Sequence, residues 1–199
     1  MGESRLHAFL KKVGVAFLLN QRCFLVDTEV PLSRFGQRRI HELDAHHIID
    51  VCGVGERFVK PRGLTVEKIN PKRHEVRQNI LRGVEVKVSR GDIRNGFFCT
   101  GCNHNYLLTP MRLVNPASLP RGVGLIEYNK YKFKVELRED GSFAFKGLRV
   151  VKKSNYKRIS RYQVDNATAY IAQKRFKTES GRLIGELSDG QAKNGYSHT

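Results

Sequence analysis

The segment Val84-Glu85-Val86-Lys87-Val88 alternates apolar and charged residues without a break. Period two is the period of a strand, so the three valines share one face while Glu85 and Lys87 share the other. Two explanations fit. One is a surface ion pair on an amphipathic strand, of small energetic consequence. The other is a carboxylate and an ammonium held together to bind a metal and act on a phosphate. In both cases the chain must build a sheet around this segment, with the valines in its core.

The flanking sequence supplies the rest of such a sheet. Leu6, Phe9, Leu10, Val13, Phe17 and Leu18 recur at helical spacing, predicting a helix over about 4–20 with Ser4 as its cap. Strands are expected over Cys23–Pro31, Ile40–Cys52, Ile80–Ser89, Tyr106–Thr109 and Val123–Tyr128. Tyr131–Leu137 and Phe143–Val151 pair across the turn signal Asp140-Gly141. Gly53–Asn79, rich in Gly, Pro and charge, reads as an insertion over the surface, either a hairpin or a helix and loop. A final helix is expected over Lys157–Lys177, followed by a mobile polar tail over 178–199. The pattern predicts an α/β or α+β fold around one mixed sheet, within a single domain over 1–177.

The strand around Leu43-Asp44-Ala45 sets an acid among apolar neighbours. A hairpin turn centred between Gly36 and Gln37 would bring Glu29 opposite Asp44. Two carboxylates so placed repel. A cation bound between them reverses the sign of that interaction. His46 shares the parity of Asp44, whereas His41 and His47 point the other way.

Asp44, Glu85 and Lys87, on consecutive strands after an N-terminal helix, resemble the PD-(D/E)xK nuclease superfamily. The nearest branch is that of MmcB-like DNA-repair proteins and phage-encoded relatives. The segments Val84–Asp92, Asn105–Pro110 and Leu119–Ile126 carry the likeness further, over about residues 4–130. Residues 53–79 depart from the compact family pattern. The resemblance implies a restriction-endonuclease-like core, a mixed central sheet flanked by helices. It implies that Asp44, Glu85 and the carbonyl of residue 86 hold Mg²⁺ or Mn²⁺, and that Lys87 orients a water or offsets developing charge. Glu29 and Glu3 compete for a further acidic role, and Arg90 would contact a phosphate. The implied activity is metal-dependent DNA endonuclease cleavage, in DNA repair, recombination or phage DNA processing. The alternative is a catalytically silent DNA-binding adaptor on the same fold. Members that cut both strands often dimerise, so a homodimer is compatible with the resemblance.

Charge supports a polyanionic partner. The 199 residues carry 36 Lys and Arg against 19 Asp and Glu, a net +17. From Lys146 to Lys177 there are ten Lys or Arg and one acid, Asp165. Lys152, Lys153, Lys157, Arg158 and Arg161 are the expected phosphate-backbone contacts, which position DNA without reading its sequence. A second basic wall is expected from Arg57, Lys60, Arg62, Lys68, Lys72 and Arg73. Cys99 and Cys102 form a CxxC with His104 nearby. A structural Zn²⁺ site usually needs a second such pair, so a zinc-knuckle module is a lesser alternative. Lys11 and Lys12 interrupt the first apolar stretch, which reads as neither a secretory signal nor a membrane span. A soluble cytoplasmic protein of a bacterial or phage-infected cell is expected, with no membrane partner.

Overall fold

In the computed structural model, residues 4–32, 47–59, 76–96 and 101–194 are described. Helix α1 spans Arg5–Asn20, and the Ser4 hydroxyl caps it by accepting from the His7 N–H at 3.2 Å. Strands β1 (Cys23–Leu32), β2 (His47–Val59) and β3 (Val76–Val86) follow as antiparallel neighbours. The short helix α2 (Arg90–Arg94) then lets β4 (His104–Pro110) run parallel to β3. Strand β5 (Gly124–Tyr128) runs parallel to β4. Strands β6 (Lys134–Leu137) and β7 (Phe143–Lys146) form a separate hairpin. Strand β8 (Leu148–Lys152) returns antiparallel to β5, and helix α3 covers Arg161–Asn194.

The architecture is a mixed α/β fold with a six-stranded sheet in the order β1-β2-β3-β4-β5-β8, flanked by helices. Leu10, Val13, Phe17 and Leu18 of α1 pack on Val26, Val51, Val84, Val86, Tyr106, Leu108 and Ile126. On the other side, Val164, Ala167 and Ile171 of α3 pack on Val30, Leu32, Ile49, Val54 and Leu81. A third cluster joins Leu107 and Leu125 to Leu119 and Val123 of the β4–β5 connection. Each fully buried Leu or Ile contributes about 1.5–3 kcal/mol. No helix among the described residues is long and apolar enough to cross a membrane.

Several elements differ from the sequence expectation. Of the expected insertion, residues 53–59 and 76–79 take the hairpin alternative: they continue β2 and β3 as antiparallel neighbours, paired as far as Val59 with Val76. Residues 60–75 of the expected insertion, with Lys60, Arg62, Lys68, Lys72 and Arg73, lie outside the described residues. The glycines that suggested a loop instead admit neighbours, since a Cβ at Gly53 would come within 2.8 Å of Cys23 Sγ. The Asp140-Gly141 hairpin forms, with the Ser142 N–H donating to Asp140 Oδ1 at 2.9 Å. Its second strand stops at Lys146, and Gly147 (φ +74°) turns the chain into β8. A Cβ at Gly147 would stand 2.7 Å from the Lys132 carbonyl carbon, so the turn requires glycine.

Helix α3 begins at Arg161 rather than Lys157 and continues to Asn194, through most of the expected tail. An Arg182–Glu179 ion pair (2.8 Å) supports that extension locally. Near its middle, Lys174 donates to the Thr28 carbonyl at 2.7 Å and Arg175 Nε to the Val26 carbonyl at 3.1 Å. Both also meet the buried Asp27 carboxylate at 3.3 Å. These two cations occupy carbonyls of the edge strand β1, a surface otherwise open to strand addition.

Gly83 of β3 is packed tightly. A Cβ there would press on Ile49 Cδ1 and lie 2.7 Å from Cys102 Sγ, and both neighbours are fully buried. Gly83→Ala is expected to lower stability by about 1–3 kcal/mol. The reading is a lower urea midpoint at unchanged m-value. An unchanged midpoint would mean that this part of the sheet repacks freely.

Candidate active site

Strand register brings the chemistry together. Val51 pairs with Val84, so the next residues along, Asp50 and Glu85, face each other across β2 and β3. On the other side of β2, the pairs Thr28–Val51 and Val30–Ile49 flank Glu29 and Asp50. Three carboxylates therefore line up across three neighbouring strands.

The expected partner of Glu29, Asp44, lies outside the described residues, as do Glu3, His41 and His46. The β1–β2 register contradicts the tight turn that was to set Asp44 opposite Glu29. Among the described residues the pairing runs to Leu32–His47, and its register sets Asp50, not Asp44, opposite Glu29.

Helix α1 supplies nitrogen groups to this row. His7 and Lys11, one turn apart, share a helix face. Lys11 Nζ lies 2.9 Å from Glu29 Oε1 and 3.6 Å from Asp50 Oδ1. His7 Nε2 lies 3.5 Å from Asp50 Oδ1 and 3.3 Å from the Val86 carbonyl. The second oxygen of Asp50 accepts from the Val86 N–H at 2.7 Å. Glu29 itself has a left-handed backbone, φ +53°, uncommon for a non-glycine residue and costly by about 1–3 kcal/mol.

Glu85 has poorer compensation. It is 6% exposed. Its Oε1 lies 3.5 Å from Lys87 Nζ, and its Oε2 is buried 3.9 Å from His47 Nε2 with no hydrogen-bond partner. Burial first, and the Asp50 charge second, push its carboxyl up to about 7 against the opposing pull of Lys87. Lys87 also meets Asp92 Oδ1 at 3.4 Å. Asp92 Oδ2 accepts from the Val88 N–H at 3.0 Å, while the N-cap of α2 is Ser89, whose hydroxyl accepts from the Asp92 N–H at 3.1 Å. Glu85 and Lys87 thus share a face, as the alternation predicted, and that face is buried as well as the valine face.

The donor set fits a hard divalent cation. Asp50 and Glu85 are carboxylates on adjacent strands, and Glu85 Oε2 is a buried acceptor without a hydrogen bond. Among the described residues, no three His, Cys, Asp or Glu side chains converge as a ligand set, so water would complete the shell. Cys99 lies outside the described residues. Cys102 is fully buried 3.9 Å from Cys52, sulfur to sulfur, and His104 Nδ1 lies 3.0 Å from the Ser154 hydroxyl.

The expected phosphate contacts divide into two places. Arg90 is exposed at the start of α2, three residues after Lys87. Lys153, Lys157, Arg158 and Arg161 are exposed on the segment between β8 and α3, and Lys152 is half-buried. Lys157 is tied to Asn103 by two backbone-directed hydrogen bonds, before the start of β4. Glu85 pairs with Leu107 in that strand. Four residues of strand separate the two places, about 13 Å.

Sequence reasoning missed His7, Lys11, His47 and Asp50. A lysine within the apolar stripe of α1, four residues after a histidine, was the available signal. His47 was misassigned by parity, because the strand pair is kinked where Glu29 turns left-handed: Val51 packs toward α1 and Ile49 toward α3.

No known protein family matches this chain, and no curated protein does. A solved structure of a protein of unknown function from Silicibacter pomeroyi is similar at 18% identity over 92% of both chains, with a TM-score of 0.40.

The raised Glu85 carboxyl has a stability consequence. Between its ordinary value of 4.5 and about 7, the folded chain holds this proton and the unfolded chain does not. The contribution is full below pH 4.5 and is lost as pH rises through 7. Its size is on the order of 3 kcal/mol. Glu85→Gln, neutral throughout, is expected to remove this loss. In EDTA, urea unfolding from pH 4.5 to 8 should show the variant gaining on the wild type as pH rises. Parallel curves would mean that Glu85 ionises as an ordinary carboxylate.

Proposed function

We propose that this chain is a divalent-metal-dependent phosphodiesterase acting on DNA, an endonuclease of the PD-(D/E)xK kind with Asp50, Glu85 and Lys87 as its reacting set. The carrying observation is the buried Glu85 carboxylate, facing Asp50 across the strands with Lys87 beside it and one oxygen unpartnered. The element order supports the reading: a helix, three antiparallel strands, a short helix, and a fourth strand parallel to the third. Asp50 takes the part that the resemblance gave to Asp44.

Asp50, Glu85 and the Val86 carbonyl would hold Mg²⁺ or Mn²⁺. Bound there, the ion supplies Lewis-acid activation of the phosphodiester and of the attacking water. The protein's own groups do the positioning. The Val86 N–H fixes one oxygen of Asp50, so the other stays oriented. Lys87, steadied by Glu85 and Asp92, presents its ammonium to orient water or offset charge growing on the phosphate. Arg90, exposed at the start of α2, would contact a neighbouring phosphate. Lys153, Lys157, Arg158 and Arg161, with partly buried Lys152, would track the backbone further along. DNA repair, recombination or phage DNA processing, in the cytoplasm, is the setting proposed.

The test is cleavage of linear, nicked, branched and single-stranded DNA with Mg²⁺, with Mn²⁺ and with EDTA. Cutting should require the metal and fall by about 100-fold or more in Lys87→Ala and in Asp50→Asn. Wild-type protein that binds DNA and never cuts would transfer the reading to a silent adaptor on this fold.

DNA binding itself should weaken steeply with salt. Replacing Lys153, Lys157, Arg158 and Arg161 together by Ala should flatten the slope of log affinity against log salt by about 0.9 for each phosphate that the variant no longer neutralises. An unchanged slope would remove this segment from the DNA path.

A further inference from the structure

Acids and cations at the site do not balance. Counting the His7 and His47 imidazoles beside them as neutral, Glu29, Asp50, Glu85 and Asp92 carry four negative charges when ionised, against the two ammonium groups of Lys11 and Lys87. The remainder is two, the charge of one divalent ion. The distribution is uneven as well. Lys11 sits at the Glu29 end of the row, 2.9 Å from Glu29 Oε1 and 3.6 Å from Asp50 Oδ1. The unpartnered oxygen is at the other end, on Glu85.

We infer that the site takes one divalent ion, between Asp50 and Glu85, and that the Lys11 ammonium fills the position between Asp50 and Glu29 where a second ion would otherwise bind. This rests on the reading of the site as a metal-dependent phosphodiesterase. Three acids in a row across adjacent strands offer two gaps, and each gap brings like charges together. One gap is filled by a side chain of the protein. Lys11 is 8% exposed, on the apolar stripe between Leu10 and Val13, and a lysine is seldom buried unless paired. Glu29 reaches it from a left-handed backbone, so the contact is maintained against local strain. A divalent ion entering that gap would meet the ammonium, with Asp50 already shared between Lys11, His7 and the Val86 N–H. Lys11 is a positioning residue here, acting through Asp50.

A purely structural lysine would staple α1 to the sheet and leave ion stoichiometry alone. The discriminating measurement is therefore Mn²⁺ binding by the full chain, with free Mn²⁺ followed by electron paramagnetic resonance. Wild type should bind one Mn²⁺. Lys11→Met keeps an unbranched chain, removes the ammonium, and should bind two. Lys11→Met combined with Glu29→Gln should return to one, and Lys11→Arg should stay at one. Two ions on the wild type, or one on a folded Lys11→Met protein, would overturn the inference while leaving the phosphodiesterase reading intact. No ion on the wild type would overturn that reading, and this inference with it. If Lys11→Met does not fold, Lys11→Gln, which also removes the ammonium, is read by the same two-against-one count.

Discussion

The contact between Lys11 and the facing pair Glu29 and Asp50 ties the α1 helix, the β1–β2 kink and the site into one arrangement. Three adjacent strands bring carboxylates to the same level, and such a sheet would be destabilised by its own charge. Lys11 reverses the sign of one of those contacts. It can do so only because α1 docks through Leu10, Val13 and Phe17, which fixes the height of its nitrogen over the strands. His7 then reaches Asp50 and Val86 from the preceding turn. Lys11 and Asp50 are both mostly buried, and losing one partner of a buried ion pair typically costs about 3–5 kcal/mol. Helix docking and charge arrangement thus support each other.

The kink has consequences beyond Glu29. Val26 and Val51 pack toward α1, yet Val30 and Ile49, two or four residues away on the same strands, pack toward α3. The strands switch faces at the Glu29–Asp50 level, and this brings His47 toward Glu85. Helix α3 covers the face so created with Val164, Ala167 and Ile171, and anchors on Asp27 through Lys174 and Arg175. Part of the basic run that suggests nucleic acid therefore has a structural role. Lys153, Lys157, Arg158 and Arg161 stay exposed, as do Lys146, Arg149 and Lys177 toward the ends of the run.

The legible parts of this fold were those written in local periodicity. The alternation of Val84 to Val88 announced β3, and the i, i+3, i+4 pattern with Ser4 announced α1. The facing of Glu29 by another acid, with a cation between, was legible as an idea but not as a register. Register depends on how two strands meet in space, and no local signal reports that. Gly53 and Gly55 misled for a related reason. A glycine that breaks a strand and one that admits a neighbour's side chain look alike in one dimension. His47 was lost to parity because parity assumes a regular strand, and Glu29 is not regular.

The row of acids runs from satisfied to unsatisfied. Glu29 has a close ammonium; Asp50 has an ammonium, an imidazole and a backbone N–H; Glu85 has an ammonium at 3.5 Å, an imidazole only at 3.9 Å, and one oxygen without a hydrogen bond. Stability alone would favour the reverse order, because Glu85 is the most buried of the three and desolvation bears hardest on it. A lysine at the Glu85 end, or a glutamine in its place, would quiet the strand. The chain instead places its second lysine, Lys87, between Glu85 and Asp92 and divides its charge between them. Local rules are broken most where a site must keep capacity for something it binds. By that measure the Glu85 end is where an incoming positive charge does the most work, and the Glu29 end is where the protein has already supplied its own.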